Sequence, residues 1–172
     1  STYGERIKNE MRKIQGVEAV SYGEAVPGSG RFSSSNMDYM DKTIYAQHGS
    51  MDYDYLKFMG VKLKSGRWLD SKLASDTINN VLVNETFVKQ FGWNDNQAFK
   101  NEFRPGFDEK PYKIVGIVKD FNIQSLKTAV EPMIFFHYRA TSWKRYNVYN
   151  IQLKIKPEDI DGTVKRIKKY WQ

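Results

Sequence analysis

The sequence predicts an α+β fold, and three observations carry that reading. Residues 114–118 (Ile-Val-Gly-Ile-Val) are an apolar, mostly β-branched run between Pro111 and Asp120, the pattern of a strand buried on both faces. Ile151, Leu153 and Ile155 alternate with Gln152, Lys154 and Lys156, as in a half-buried strand. Apolar stripes at helical spacing stand at both ends of the chain, and the order helix, strands, helix, strand, helix, strands, helix argues for α+β.

In chain order, Thr2 and Glu5 make a capping box, and Tyr3, Ile7, Met11 and Ile14 form one apolar helical stripe. Gly16 ends that helix, and residues 17–25 read as a strand. Residues 27–36 (PGSGRFSSSN) read as a polar loop or hairpin tip. The Gly28-Ser29-Gly30 within it lacks the flanking strand, helix and further glycine of a phosphate loop. Residues 42–50 predict a strand. Asp52 then caps a short helix over 53–59 that Gly60 closes. Val61 to Lys64 alternates like an edge strand turned by Ser65-Gly66, and 69–80 is a polar loop. Val81-Leu82-Val83 is a short buried strand, and Asn84 caps a helix over 85–91 ended by Gly92. Across 94–110, Pro105-Gly106 favours strand and turn over a helical reading of Phe99, Phe103 and Phe107. Gly116 predicts a bulge or a close backbone approach inside its strand. A further strand spans 133–138. Pro157, with Glu158 and Asp159, opens a last helix whose stripe is Ile160, Val164, Ile167 and Trp171.

Composition narrows the function. The 172 residues support one domain or two small lobes, and 40% hydrophobic with 15% aromatic residues suffices for a core. No apolar run approaches the ~20 residues that cross a bilayer. The start lacks a signal-peptide layout, so the chain is expected to be soluble, whole or cut from something larger. It has no cysteine, which excludes disulfides, thiolate metal sites and a cysteine nucleophile. The net charge of +7 and pI near 9.4 raise nucleic acid or an anionic membrane surface as partners. Arg6, Lys8, Arg12 and Lys13 on the first helix, Lys165, Arg166, Lys168 and Lys169 on the last, and the others spread between are, however, scattered in the manner of a solvated surface.

No constellation points to catalysis. His48 and His137 stand apart with no ligand spacing, so a packed or surface role outweighs a metal role, and no cofactor is expected. Asp52 and Asp54 are close enough to suggest an acid–base pair, but Asp52 is accounted for as a cap. Asp120 leaves a buried strand at its end, where functional acids often sit; with no partner in view it reads as a turn residue bonding local amides. Asn84-Glu85-Thr86 matches a glycosylation sequon, but the triplet serves the helix cap. Ser33 to Ser35 lack a nucleophile elbow. Trp143 to Tyr146 mixes basic and aromatic residues as single-strand binders do, a mix that also suits protein contacts.

Four segments in order resemble MacB-like periplasmic core domains of ABC transporter permeases: 14–21, 51–68, 81–93 and 112–126. They include Met51-Asp52-Tyr53-Asp54-Tyr55-Leu56, Val81-Leu82-Val83-Asn84-Glu85 and Ile114-Val115-Gly116-Ile117-Val118-Lys119-Asp120-Phe121. Trp68 and Phe99-Lys100-Asn101 depart from the family's commoner phenylalanine and glycine-lysine turn. The resemblance implies two lobes: a discontinuous porter-like αβ lobe near the membrane (1–25, 51–96 and 137–172) and a smaller, mainly β inserted lobe (26–50 and 97–136). It also implies a non-catalytic domain on the periplasmic side of the inner membrane, tethered by transmembrane helices that this chain lacks. Its implied partners are those helices, a cytoplasmic ATPase and a periplasmic adaptor or substrate protein, with dimerisation only in the full transporter. A basic nucleic-acid-binding module is the alternative function. Partner contacts are expected in the loops 27–36 and 94–110, with Phe32, Phe103, Phe107 and Trp143 as anchors; the competing reading is that these aromatics fill the smaller lobe. Ser1 and Gln172 are expected on one face of the domain.

Overall fold

The computed structural model describes residues 3–24, 32–122, 129–140 and 150–171. Helix α1 (Tyr3–Arg12) buries Ile7 and Met11. Its exit turn reaches Gly16, whose φ of 93° leads into β1 (Val17–Gly23). A Cβ on Gly16 would collide with the Thr163 hydroxyl, so this glycine serves both the turn and a close contact with the last helix.

β2 (Ser33–Tyr39) and β3 (Lys42–Met51) make a hairpin closed by Met40 and Asp41. Residues 33–36, expected in a loop, instead pair with 45–48. The Ser-Ser-Ser-Asn run has no apolar alternation to signal a strand, but a backbone ladder does not require one. Residues 27–31 of that loop, and 25–26 before it, lie outside the described residues.

α2 (Tyr55–Phe58) and β4 (Leu63–Gly66) follow, then a 3₁₀ turn at Ala74–Thr77 and β5 (Asn80–Asn84). α3 (Glu85–Phe91) is capped by Asn84 and closed by Gly92 at φ 76°, as its residues predict. The stretch after it holds a helix that the sequence reading did not include, α4 (Asp95–Lys100), and then β6 (Glu102–Pro105). Asn94 and Gln97 cap α4 reciprocally, which stabilises a helix too short to show an apolar period. β7 (Tyr112–Val118), β8 (Met133–His137), β9 (Asn150–Ile155), a 3₁₀ turn (Pro157–Asp159) and α5 (Ile160–Tyr170) complete the chain.

The described strands form one hydrogen-bonded network in the order β2-β6-β7-β5-β8-β3-β1-β9, with β4 beside β7. Because β2 also pairs with β3, the six strands β2, β6, β7, β5, β8 and β3 close on themselves. β3–β8 and β5–β7 are parallel, and the other pairs are antiparallel. β1 joins the network through Gly23 opposite Met51 at the end of β3, and β9 lies outside β1.

Gly116 controls the register of the central strand. Ile114 faces Val81 and Gly116 faces Leu82, so β7 carries one extra residue there, a bulge. The bulge resets the alternation: Ile114 and Ile117 join one core, while Val115 and Val118 join another. Gly116 also faces Gly66 of β4, and a Cβ on it would lie 2.2 Å from the Arg67 carbonyl oxygen. The sequence expectation of a bulge or close approach is met on both counts.

Three cores result. One collects Val81, Val83, Ile114, Ile134 and Phe136 under α3 and α4. A second collects Leu82, Val118 and Phe135 under α2. The third is small, with Ile7, Met11 and Val20 against Ile151, Leu153 and Ile167. β5, within 51–96, is hydrogen-bonded between β7 and β8, so it shares its sheet with strands of 97–136 and β8. The last helix differs from expectation. Of its predicted stripe, Ile160 and Trp171 are 50% and 56% exposed, and Thr163 is the buried residue. The reason is that α5 leans on the Gly16 turn, where Thr163 packs and Arg166 donates to the Gln15 carbonyl at 3.0 Å.

Candidate functional site

The densest polar cluster lies where α1 meets the sheet. Glu5, Lys8 and Arg12 are three and four residues apart, which puts them on one helix face. Lys8 is only 3% exposed. Its ammonium donates to Asp52 Oδ2 at 2.5 Å and Asp54 Oδ2 at 2.8 Å, and stands 5.7 Å from the Tyr22 ring centre. Arg12 reaches Asp54 at 3.0 Å from the solvent side.

Asp52 is buried at the end of β3 with its oxygens filled. Besides Lys8 it accepts from Ser21 Oγ at 2.7 Å, the Tyr22 amide at 3.2 Å and the Asp54 amide at 3.0 Å. A buried carboxylate with one cation and three neutral donors meets the conditions under which ion burial is tolerated. Burial alone would raise the Asp54 carboxyl pKa, but the hydrogen bonds and charges of Lys8 and Arg12 outweigh it and hold it below the usual range. The Tyr22 hydroxyl donates to Glu5 Oε1 at 2.8 Å; burial, Tyr138 and Glu5 together push it far above an ordinary phenol. Behind Tyr22, Tyr138 packs edge-on at 5.2 Å, and His137 stacks on Tyr53 at 4.2 Å. Burial, then the Arg139 and Lys8 charges, lower the His137 pKa to about 3, so its ring stays neutral.

The sequence reading put Lys8 and Arg12 on a solvated surface and Asp52 at a helix cap. Lys8 is instead buried, and Asp52 serves the Asp54 amide only as one of four contacts. The available signal was the position of Lys8 between Ile7 and Met11, next to the buried stripe.

Of the expected anchors, Phe103 is buried, and Phe32 and Phe107 are half-buried against the cores. Phe103 is 1% exposed in the first core, 5.1 Å from Phe87. Phe107 lies 4.3 Å from His48 and 5.5 Å from Phe136. Phe32 covers Gly49 and meets Phe135 edge-on at 6.3 Å. Trp143 and the loop around it lie outside the described residues, as do Ser1 and Gln172. Asp120 does bond at a turn, but to another element: its carboxylate accepts from the Thr86 amide and hydroxyl at the start of α3. Both histidines are buried rather than exposed, and among the described residues no cluster of His, Cys, Asp or Glu is arranged to hold a metal. Asn84 is fully buried, so the sequon is inaccessible in the folded domain.

An open groove of about 900 Å³ lies beside α3 and α4, lined by Lys64, Glu85, Lys89, Trp93, Asp95 and Asp120 among others. Lys64 sits between Asp95 at 3.0 Å and Glu85 at 3.7 Å, so its charge is neutralised locally. At the opposite extreme of exposure, Met40 (85%) and Tyr45 (67%) stand out on the β2–β3 hairpin.

No catalytic arrangement is evident among the described residues. The chain belongs to the MacB-like periplasmic core domain family, whose profile matches residues 2–170. It is thus a periplasmic domain of an inner-membrane ABC transporter permease of the MacB/FtsX-like kind, a family that is non-catalytic in this region and works with an ATPase. No helix among the described residues is long and apolar enough to cross a membrane. The fold is similar to that of the periplasmic region of MacB from Actinobacillus actinomycetemcomitans (TM-score 0.67, 18% identity, 98% of this chain and 76% of that one). It is also similar to the extracellular domain of the noncanonic ABC-type transporter YknZ from Gram-positive bacteria (TM-score 0.69, 12% identity, 92% of this chain and 76% of that one). No curated protein matches the chain.

Proposed function

We propose that this domain binds a protein partner or substrate outside the membrane and transmits ATP-driven movement of the permease helices to that partner as a stiff lever. The observation that supports it most is the Lys8 joint. Three side chains of α1 are tied to β1, to Asp52 at the end of β3 and to Asp54 before α2 by contacts of 2.5–3.0 Å, of which Lys8–Asp52 is buried and the Lys8–Asp54 and Tyr22–Glu5 contacts are partly buried. A displacement of α1 is then passed to the strand network without slack, because β3 belongs both to the closed ring and to the β1–β9 extension. The partner or substrate would engage the part of the domain away from α1. The nucleic-acid alternative draws only on scattered basic charge and on the loop around Trp143.

The test uses the full-length permease with its ATPase. This domain contributes no cysteine, so with any cysteines of the remaining permease and the ATPase replaced, a single Tyr45→Cys nitroxide label reports the hairpin position. In a two-copy transporter, the label-to-label distance should change between the nucleotide-free and ATP-bound states. Lys8→Met should reduce that change while ATP hydrolysis persists. An unchanged distance in the parent permease, or an undiminished change in Lys8→Met, overturns the lever reading.

A further inference from the structure

We propose that the outer face of α5 is a docking surface for anionic phospholipid headgroups. Lys165, Lys168 and Lys169 all lie on its exposed side. Among the described residues none of the three has a carboxylate within ion-pair distance, unlike Arg166, which is engaged by Asp159 at 2.7 Å. Asp161 is the one acid on the same face, and the nearby Lys13 of the α1 exit is paired with Glu10 at 2.6 Å.

The lysines are bordered by apolar surface that the domain does not cover. Ile160 is 50% exposed, Tyr170 45% and Trp171 56%, with Val164 half-buried between the ends. Lysines beside an exposed aliphatic edge, with tyrosine and tryptophan at one end, fit the headgroup boundary of a bilayer. There the ammonium groups meet phosphates while the aromatic rings enter the interface. A polyanion in water would match the lysines but leave the apolar edge exposed. The helix is too short and too charged to span a membrane, so it would lie in the surface plane.

The proposal rests on the permease assignment only in that the assignment puts a bilayer beside the domain. Contact would orient the lever described above, because α5 bears on the Gly16 turn through Thr163 and Arg166.

The experiment is vesicle flotation of this chain with phosphatidylcholine alone and with phosphatidylcholine mixed with phosphatidylglycerol. Binding is expected only to the mixed vesicles and should weaken with added salt. Lys165→Glu/Lys168→Glu/Lys169→Glu should lower it at least tenfold without changing the melting temperature by more than a few degrees. Brominated mixed lipids should quench tryptophan emission in the parent chain and much less in Trp171→Phe, which separates interfacial insertion from attachment elsewhere. No flotation, equal binding to both vesicle types, full binding by the triple variant, or full quenching in Trp171→Phe would each overturn the proposal. Binding of a protein partner by α5 in place of lipid would appear as no flotation. Such a failure leaves the permease lever untouched, since the distance measurement in the full transporter tests that separately.

Discussion

At the scale of single residues, buried charge decides the most. Lys8→Met strips Asp52 of the one cation that pairs with it among the described residues and leaves a carboxylate in the interior. A loss of about 3–5 kcal/mol is expected from urea unfolding. Adding Asp52→Asn should recover part of it, since the amide oxygen still accepts from Ser21, Tyr22 or Asp54 while the charge is gone. A second buried carboxylate, Asp76, is held by Arg67 through two contacts of 2.6 and 2.8 Å, by Asn80 at 2.7 Å and by the Asp70 amide at 2.7 Å. Burial would raise its pKa, but those hydrogen bonds and the Arg67 charge outweigh it and lower it. A depressed carboxyl stabilises the fold above the unfolded-state pKa of about 3.9 and loses that contribution as pH falls through the lower folded value. Asp76→Asn is therefore expected to destabilise strongly at pH 7 and less at acid pH. Thermal melts of both proteins across that range should show the gap closing on acidification, and a constant gap would contradict the assignment.

At the scale of elements, Asn84 joins a strand, a helix and a loop. Its Oδ1 accepts from the Phe87 amide at 3.0 Å and the Met133 amide at 2.9 Å, and its Nδ2 donates to the Glu131 carbonyl at 2.9 Å. Asn84→Ala removes the α3 cap and leaves a buried amide on β8 without its acceptor, a cost of about 2–4 kcal/mol. Asn84→Asp keeps both acceptor roles, so at neutral pH its chemical-denaturation midpoint should fall between those of the parent and the alanine variant. The cap was legible from Asn84 preceding a helical run that ends in glycine. The Met133 contact was not, because nothing local connects residues that are 49 positions apart. α4 escaped for a related reason: a six-residue helix held by its capping box shows too little periodicity to outweigh Pro105-Gly106.

At the scale of the molecule, stability is distributed unevenly. β5, β7 and β8 are flanked by strands and covered on both faces, whereas α5 has one buried residue, Thr163, and a half-exposed stripe. Native-state hydrogen exchange should therefore find the slowest amides in these three strands and the fastest helical amides in α5. Equal protection of α5 and α3 would show that α5 is docked more firmly than its exposure implies.

The α+β class, the central strand with its Gly116 irregularity and the α3 caps were determined by the sequence itself. So was the family, through four short patterns in the right order. These features are carried by neighbouring residues, through apolar alternation, β-branching, and glycine or asparagine at helix ends. The tertiary structure alone decided that the Ser33–Asn36 stretch is a strand, that β5 sits between β7 and β8, that Phe103 packs inside, and that Lys8 is buried against Asp52. Each depends on a partner tens of residues away. The free energy of a buried ion or a backbone ladder is set by what lies opposite it, which chain closure chooses and no local pattern records.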